Sequence, residues 1–464
     1  MHYELIVIGS GPAGEKAATT AAALGRKVAL VEKDPFVGGA STNTGTLPSK
    51  TFRETSLALS GIRTRGLYGS GLDLSLKRKA TVEEFMYHED HVKSQERARV
   101  LSVLGHWNVD FYLGTASFTD PHTITVANDG QQQSLTGDFF MLATGSSPVR
   151  PAAFPFEHPC VHDSDEILTI EKLPDSMAVV GAGVIGTEYA CTFAALGVQV
   201  ILIDGRETLL SFLDHEVSAE LTASLTRLNI QFLRPMKVTS CDVPDCGQIK
   251  LTCDRGEQIS VDQVLVAAGR CSNVGQLNLA AVGITPGPRG LISVDEKYCT
   301  SVPHILAAGD IIGFPALAAT SAEQGRIAVC HAFNSSHLLK MNSILPTGIY
   351  TIPEVSMIGE TEQSLNEKKI PFVIGRASYA ATVRGQIIGD RHGFLKLLFS
   401  DDGEMKLLGA HCIGEIASEV MHIGLMAMVT GQGRDLFEAA CFNYPTLGEL
   451  YKTATYDATA KRFR

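Results

Sequence analysis

Short, wholly apolar runs followed at once by glycine recur along this chain. The first, Leu5-Ile6-Val7-Ile8, suits a strand buried on both faces of a parallel sheet. Gly9-Ser10-Gly11-Pro12-Ala13-Gly14 follows. An alanine-rich helix is then predicted through Glu15 to Leu24, and a second apolar strand over Lys27 to Val31. The same order returns at Met177-Ala178-Val179-Val180, then Gly181-Ala182-Gly183-Val184-Ile185-Gly186, a helix through Leu196 and a strand over Val198 to Asp204. Between the two units, residues 82–104 are charged and hold no Gly or Pro, which predicts one long surface helix. Residues 108–145 read as short strands with turns and end in Phe139 to Gly145, where Ala143-Thr144-Gly145 marks a strand passing into a turn. Prolines at 148, 151, 155 and 159 mark a linker. Two more strand-and-turn units close at Gly269-Arg270 and Gly309-Asp310. After Lys340 the character changes, and Pro346 opens a new set of strands and helices.

Each of the two repeated units ends in an acid, Glu32 or Asp204, 18 residues after its last glycine. Glycines allow a tight turn and close approach to a pyrophosphate. The helix N-terminus faces that negative charge, and the acid accepts from a ribose hydroxyl. The complete pattern therefore predicts two dinucleotide sites, and electron transfer between a fixed cofactor and an exchangeable one is the simplest use of such a pair. Arg206 stands two residues after Asp204. An acid suits a free ribose diol and an arginine can reach a 2′-phosphate, so both together predict weak discrimination between NAD and NADP.

A chain of 464 residues is too long for one hydrophobic core, so several domains are expected. The net charge of -11 disfavours nucleic acid and acidic membrane surfaces as partners. No apolar run is long enough to span a membrane, and no signal peptide is evident. Ten scattered cysteines form no disulfide framework, which points to a reduced, cytoplasmic protein. No His/Cys cluster has zinc spacing, so no metal is expected. Cys241 and Cys246 read as a strand–loop pair, and His422 as a structural residue of an apolar helix.

One stretch gives the pattern a chemical identity. Gly38-Gly39-Ala40-Ser41-Thr42-Asn43-Thr44-Gly45-Thr46-Leu47-Pro48-Ser49-Lys50 resembles the redox-active helix of the flavin disulfide reductases, G-G-x-C-x-N-x-G-C-x-P-S-K, except that Ser41 and Thr46 replace the two cysteines. The resemblance to this dihydrolipoamide dehydrogenase and glutathione reductase family covers essentially the whole chain. Its details, Gly45 to Lys50, Asp310 to Pro315, Pro346 to Glu354 and Phe442-Asn443-Tyr444-Pro445-Thr446, are most similar to the soluble pyridine nucleotide transhydrogenases.

The resemblance implies an α/β fold: two Rossmann-like dinucleotide-binding domains plus an α+β C-terminal dimerisation domain. FAD would occupy 1–147 with 273–340, NAD(P) 148–272, and the dimer interface 341–464. It implies that FAD is held by Gly9, Gly11, Pro12, Ala13, Gly14, Glu32, Lys33, Gly39, Ser41, Thr42, Gly45, Thr46, Lys50, Ala143, Thr144, Gly145, Gly309, Asp310 and Ala318. NAD(H) or NADP(H) would be held by Gly181, Gly183, Val184, Ile185, Gly186, Asp204, Arg206, Gly269 and Arg270. Lys50 and Glu188 match the family's cation–carboxylate pair beside the flavin. Tyr444 stands where the family's partner subunit supplies a histidine, in a homodimer with shared active sites that could build higher oligomers. A tyrosine is a poor base at neutral pH. With thiols and base both absent, the implied activity is FAD-dependent hydride transfer between NADPH and NAD+. An NAD(P)H oxidase or quinone reductase, and a non-catalytic redox-sensing flavoprotein, are the alternatives.

Overall fold

The structure, a computed structural model, describes residues 1–61, 82–244, 247–336 and 341–463. Cys246 and the expected boundary at 340/341 fall outside them. The expected fold class is met: parallel sheets flanked by helices, followed by an antiparallel sheet with helices packed on it.

The apolar runs lie where their lack of polar positions requires, inside parallel sheets. His2–Ile8 pairs in parallel with Val28–Glu32 on one side and Gln131–Leu142 on the other. Its residues alternate between two cores. Leu5 and Val7 pack with Ala17 and Ala21 of helix Pro12–Ala23, whereas Ile6 and Ile8 pack with Phe118 and Phe140. Thr115–Asp120, Thr123–Asn128 and Gln131–Leu142 form the antiparallel meander expected over 108–145. Ile305–Ala307 returns to the same sheet and pairs with Gln131–Leu142.

The second sheet runs Gln231–Leu233, Gln199–Ile203, Ser176–Val180, Gln263–Val266, Val161–Asp163, all in parallel. Cys241 lies on strand Val238–Asp242 of a small antiparallel sheet beside it. The proline-marked segment opens with Ser146–Pro148, which pairs antiparallel with Arg270–Ser272. These two strands form a two-stranded ribbon where the chain enters and leaves the second unit.

The last sheet is antiparallel: Thr347–Ile349, Glu354–Gly359, Leu407–Gly414, Phe394–Ser400, Phe372–Ser378. Lys396, fully buried in it, donates to Asp214 at 3.0 Å and to Glu216 at 3.0 Å, and so ties this sheet to the N-terminus of helix His215–Arg227.

The long charged helix spans Val82–His106 and continues through Gly105. It is less of a surface element than its composition predicts, because it lies against helix Thr46–Ser60 and buries Glu89, Val100 and Leu104. His422 is exposed on helix Ala417–Val429, 3.9 Å from Glu419.

Candidate functional site

The carboxyl ends of the parallel strands open onto one cavity of about 1060 Å³. In open α/β sheets this is where ligands bind. Its walls come from the first glycine turn, the Gly38–Lys50 stretch, Ala143–Ser147, Val184 and Ile185 of the second unit, and Pro346, Gly348 and Tyr350 of the last sheet.

The first turn is built to hold a pyrophosphate. Gly14 cannot carry a side chain, because a Cβ there would lie 1.9 Å from the Gly9 carbonyl oxygen. Gly11 differs: a Cβ there would meet only Gly39 Cα at 3.9 Å, so the space in front of it is open cavity. Glu32 is fixed as an acceptor at the end of its strand. Ser10 donates its N–H at 2.9 Å and its hydroxyl at 2.6 Å to Oε2, and the Asp34 N–H donates to Oε1 at 3.0 Å. Opposite, Asp310 accepts from the Ser146 hydroxyl at 2.8 Å, and the Gly309 N–H is held by Gln324 at 2.9 Å. These groups fit a dinucleotide such as FAD.

The stretch 38–50 is broken into two helices, Gly39–Asn43 and Thr46–Ser60, because Thr44 and Gly45 both turn back to the Ala40 carbonyl. Ser41, Gly45, Thr46 and Lys50 line the cavity. Thr42 is buried beneath them, against Gly38, and does not line it. The Lys50 ammonium donates to Glu188 Oε2 at 2.7 Å, across the join between the first and second units. Tyr350 completes this group. Its N–H donates to Glu188 Oε1 at 2.8 Å, and its ring centroid lies 4.8 Å from the Lys50 ammonium. Burial pushes the Tyr350 phenol above its ordinary value, so it is neutral at physiological pH.

Of the remaining positions singled out from sequence, Gly9, Pro12, Ala13, Lys33, Gly39, Ala143, Thr144, Gly145 and Ala318 line the cavity. Arg270 does so too, with its guanidinium tied to Ser146 Oγ at 2.8 Å and Asp165 at 3.2 Å. Burial raises the Asp165 carboxyl, with Arg270 opposing. Gly181, Gly183 and Gly186 form the second turn behind the cavity. Gly186 repeats the geometry of Gly14, with a Cβ position 1.9 Å from the Gly181 oxygen. Gly269, Asp204 and Arg206 do not line the cavity, and Arg206 is closed onto Asp204 in an ion pair. Tyr444 is exposed, away from this chain's own cavity. Tyr350, Asn273 and Asp165 were missed as site residues by sequence reasoning. Tyr350 lies within Pro346 to Glu354, but nothing in its spacing shows that it would reach Glu188.

Comparison with known proteins identifies the family. Residues 3–325 match the family described as pyridine nucleotide-disulphide oxidoreductase, and residues 345–455 match its dimerisation domain. The chain is 44% identical to a protein of Mycobacterium tuberculosis named soluble pyridine nucleotide transhydrogenase, over 99% of this chain and 97% of that one. It is 40% identical to a protein of the same name from Pseudomonas putida, over 100% of this chain and 99% of that one. In fold it is similar to the HOCl-induced flavoprotein disulfide reductase RclA from Escherichia coli, with a TM-score of 0.88 at 24% identity, covering 98% of this chain and 99% of that one. The chain therefore belongs to the pyridine nucleotide-disulphide oxidoreductase family, alongside relatives named soluble pyridine nucleotide transhydrogenases.

Proposed function

We propose that this chain moves a hydride between NADPH and NAD+ through bound FAD, without a disulfide relay. The observation that carries this reading is the cavity itself. It joins the first glycine turn to the second unit, is lined by the connected Lys50, Glu188 and Tyr350, and has Ser41 and Thr46 where a relay would need thiols. FAD, when bound, supplies the hydride acceptor and donor. The chain supplies the rest. Lys50 would supply a cation to stabilise negative charge on the reduced flavin, and Glu188 holds that cation in place.

With FAD along the first turn and a nicotinamide nucleotide on the second, domains at 1–147 with 273–340, 148–272 and 341–464 follow. The last forms a homodimer in which Tyr444 of each chain approaches the other's cavity, and higher assemblies could be built from that dimer. No helix among the described residues is long and apolar enough to cross a membrane. The cytoplasm, where both nucleotide pools are found, is the proposed location.

Initial rates of thio-NAD+ reduction by NADPH test the reading. The expected result is a set of parallel double-reciprocal lines, since both nucleotides use one site in turn. A bound flavin that NADPH reduces, but that only oxygen or a quinone reoxidises, would replace this assignment with the oxidase reading.

A further inference from the structure

Asp204 ends strand Gln199–Ile203, where the second unit places its ribose-binding acid. Its carboxylate is already saturated. Oδ2 accepts the Ala182 N–H at 2.6 Å and Arg206 Nη2 at 2.8 Å, and Oδ1 accepts the Arg206 N–H at 2.8 Å and Nε at 2.9 Å. A carboxylate offers about four lone-pair positions, and all are taken. Burial would raise this carboxyl, yet the Arg206 and Ala182 bonds outweigh it and hold it below its ordinary value, so the pair is ionised. Arg206 is thus no spare cation. To meet an anion it must first leave a two-bond pair.

A second cation lies alongside without that commitment. A Cβ built on Gly205 would meet Lys237 first: Cε at 3.0 Å, Cγ at 3.1 Å and Cδ at 3.6 Å. The Lys237 stem therefore runs across the loop between Asp204 and Arg206, in space that exists because residue 205 has no side chain. Its backbone N–H is fixed by Asp254 Oδ1 at 3.2 Å. The side chain is exposed, and its ammonium has no ion-pair partner among the described residues.

We propose that Lys237 is the cation that receives the 2′-phosphate of NADP(H), while Arg206 stays on Asp204 and cancels its charge. The proposal rests on the second unit being the nicotinamide nucleotide site. It divides two tasks that a single arginine cannot perform together. A bare Asp204 would repel the phosphate, and Arg206 removes that repulsion. A free ammonium must then attract the phosphate, and Lys237 provides it. With the Asp204 charge cancelled and Lys237 free, the second unit admits the 2′-phosphate of NADP.

Titration of the FAD-loaded protein with 2′,5′-ADP and with 5′-AMP tests this. The two fragments differ only by the 2′-phosphate. Lys237→Met keeps the stem over Gly205 and removes the charge. The expected result is a Kd for 2′,5′-ADP raised at least about ten-fold, with 5′-AMP moved less than about two-fold and a shallower salt dependence for 2′,5′-ADP. Lys237→Arg should restore most of the difference. Unchanged 2′,5′-ADP binding by Lys237→Met, with its loss in Arg206→Gln, would overturn the proposal and return the phosphate to Arg206. If the unaltered protein binds neither fragment, the nucleotide reading of the second unit falls first, and this proposal with it.

Discussion

Replacing Lys50 with methionine separates the chemistry of the central pair from its structural role. The Lys50 ammonium lies 2.7 Å from Glu188 Oε2, with the lysine side chain 27% exposed and the glutamate side chain 8% exposed. Methionine keeps the stem and removes the charge. Glu188 then retains only the Tyr350 N–H at 2.8 Å. Stranding one member of a fully buried pair costs about 3–5 kcal/mol. Water reaches this pair from the lysine side, so the cost here falls to about 1–3 kcal/mol. The second loss is catalytic. A fixed cation facing charge that develops in the reaction contributes about 10²–10³ in rate. Lys50→Met should therefore lower the unfolding temperature and slow anaerobic bleaching of the flavin by NADPH by about that factor. Adding Glu188→Gln removes the stranded carboxylate, so stability should recover while the slow bleaching persists. Stopped-flow absorbance and thermal unfolding of the same samples read the two effects. A double variant that bleaches at the unaltered rate would refute the role assigned to the ammonium.

Three further outcomes follow from the geometry. Gly11→Val should leave the fold intact yet give colourless protein, because its side chain enters open cavity, whereas Gly14→Ala should lower stability by about 1–3 kcal/mol or more through collision with the Gly9 carbonyl; absorbance at flavin wavelengths and urea unfolding distinguish them. Lipoamide and oxidised glutathione should show no turnover above flavin background, since Ser41 and Thr46 carry no thiols, and rapid turnover of either would restore a relay. Glu89 is fully buried, with Lys93 Nζ 2.8 Å from Oε2. Burial raises its carboxyl above 4.5, with Lys93 opposing. The folded state thus holds this proton more tightly than the unfolded chain, so the destabilisation is absent below pH 4.5 and grows as pH rises past it. Glu89→Gln should raise the unfolding temperature at pH 7 and lose that gain in acid; a gain equal at both pH values would contradict it.

The sequence by itself determined the two nucleotide units, their order and their acids, because each depends on local chemistry: apolar runs that only a buried parallel strand accepts, glycines at fixed spacing, and an acid one helix and strand later. It also showed Ser41 and Thr46 in place of cysteines, since identity needs no fold. The tertiary structure decided what depends on distant segments meeting. Tyr350 is 162 residues from Glu188 in the chain, yet its N–H completes that carboxylate. The 82–106 helix reads as a surface element because its composition is charged, and only its packing in the folded chain, helix Thr46–Ser60 among its neighbours, leaves Glu89 buried. Arg206 reads from sequence as a phosphate ligand, but in the folded chain its guanidinium is already closed onto Asp204. Lys237 carries no signal in its neighbours. It becomes a candidate ligand only because the loop before strand Val238–Asp242 meets Gly205, 32 residues earlier, and the missing side chain there leaves room for its stem.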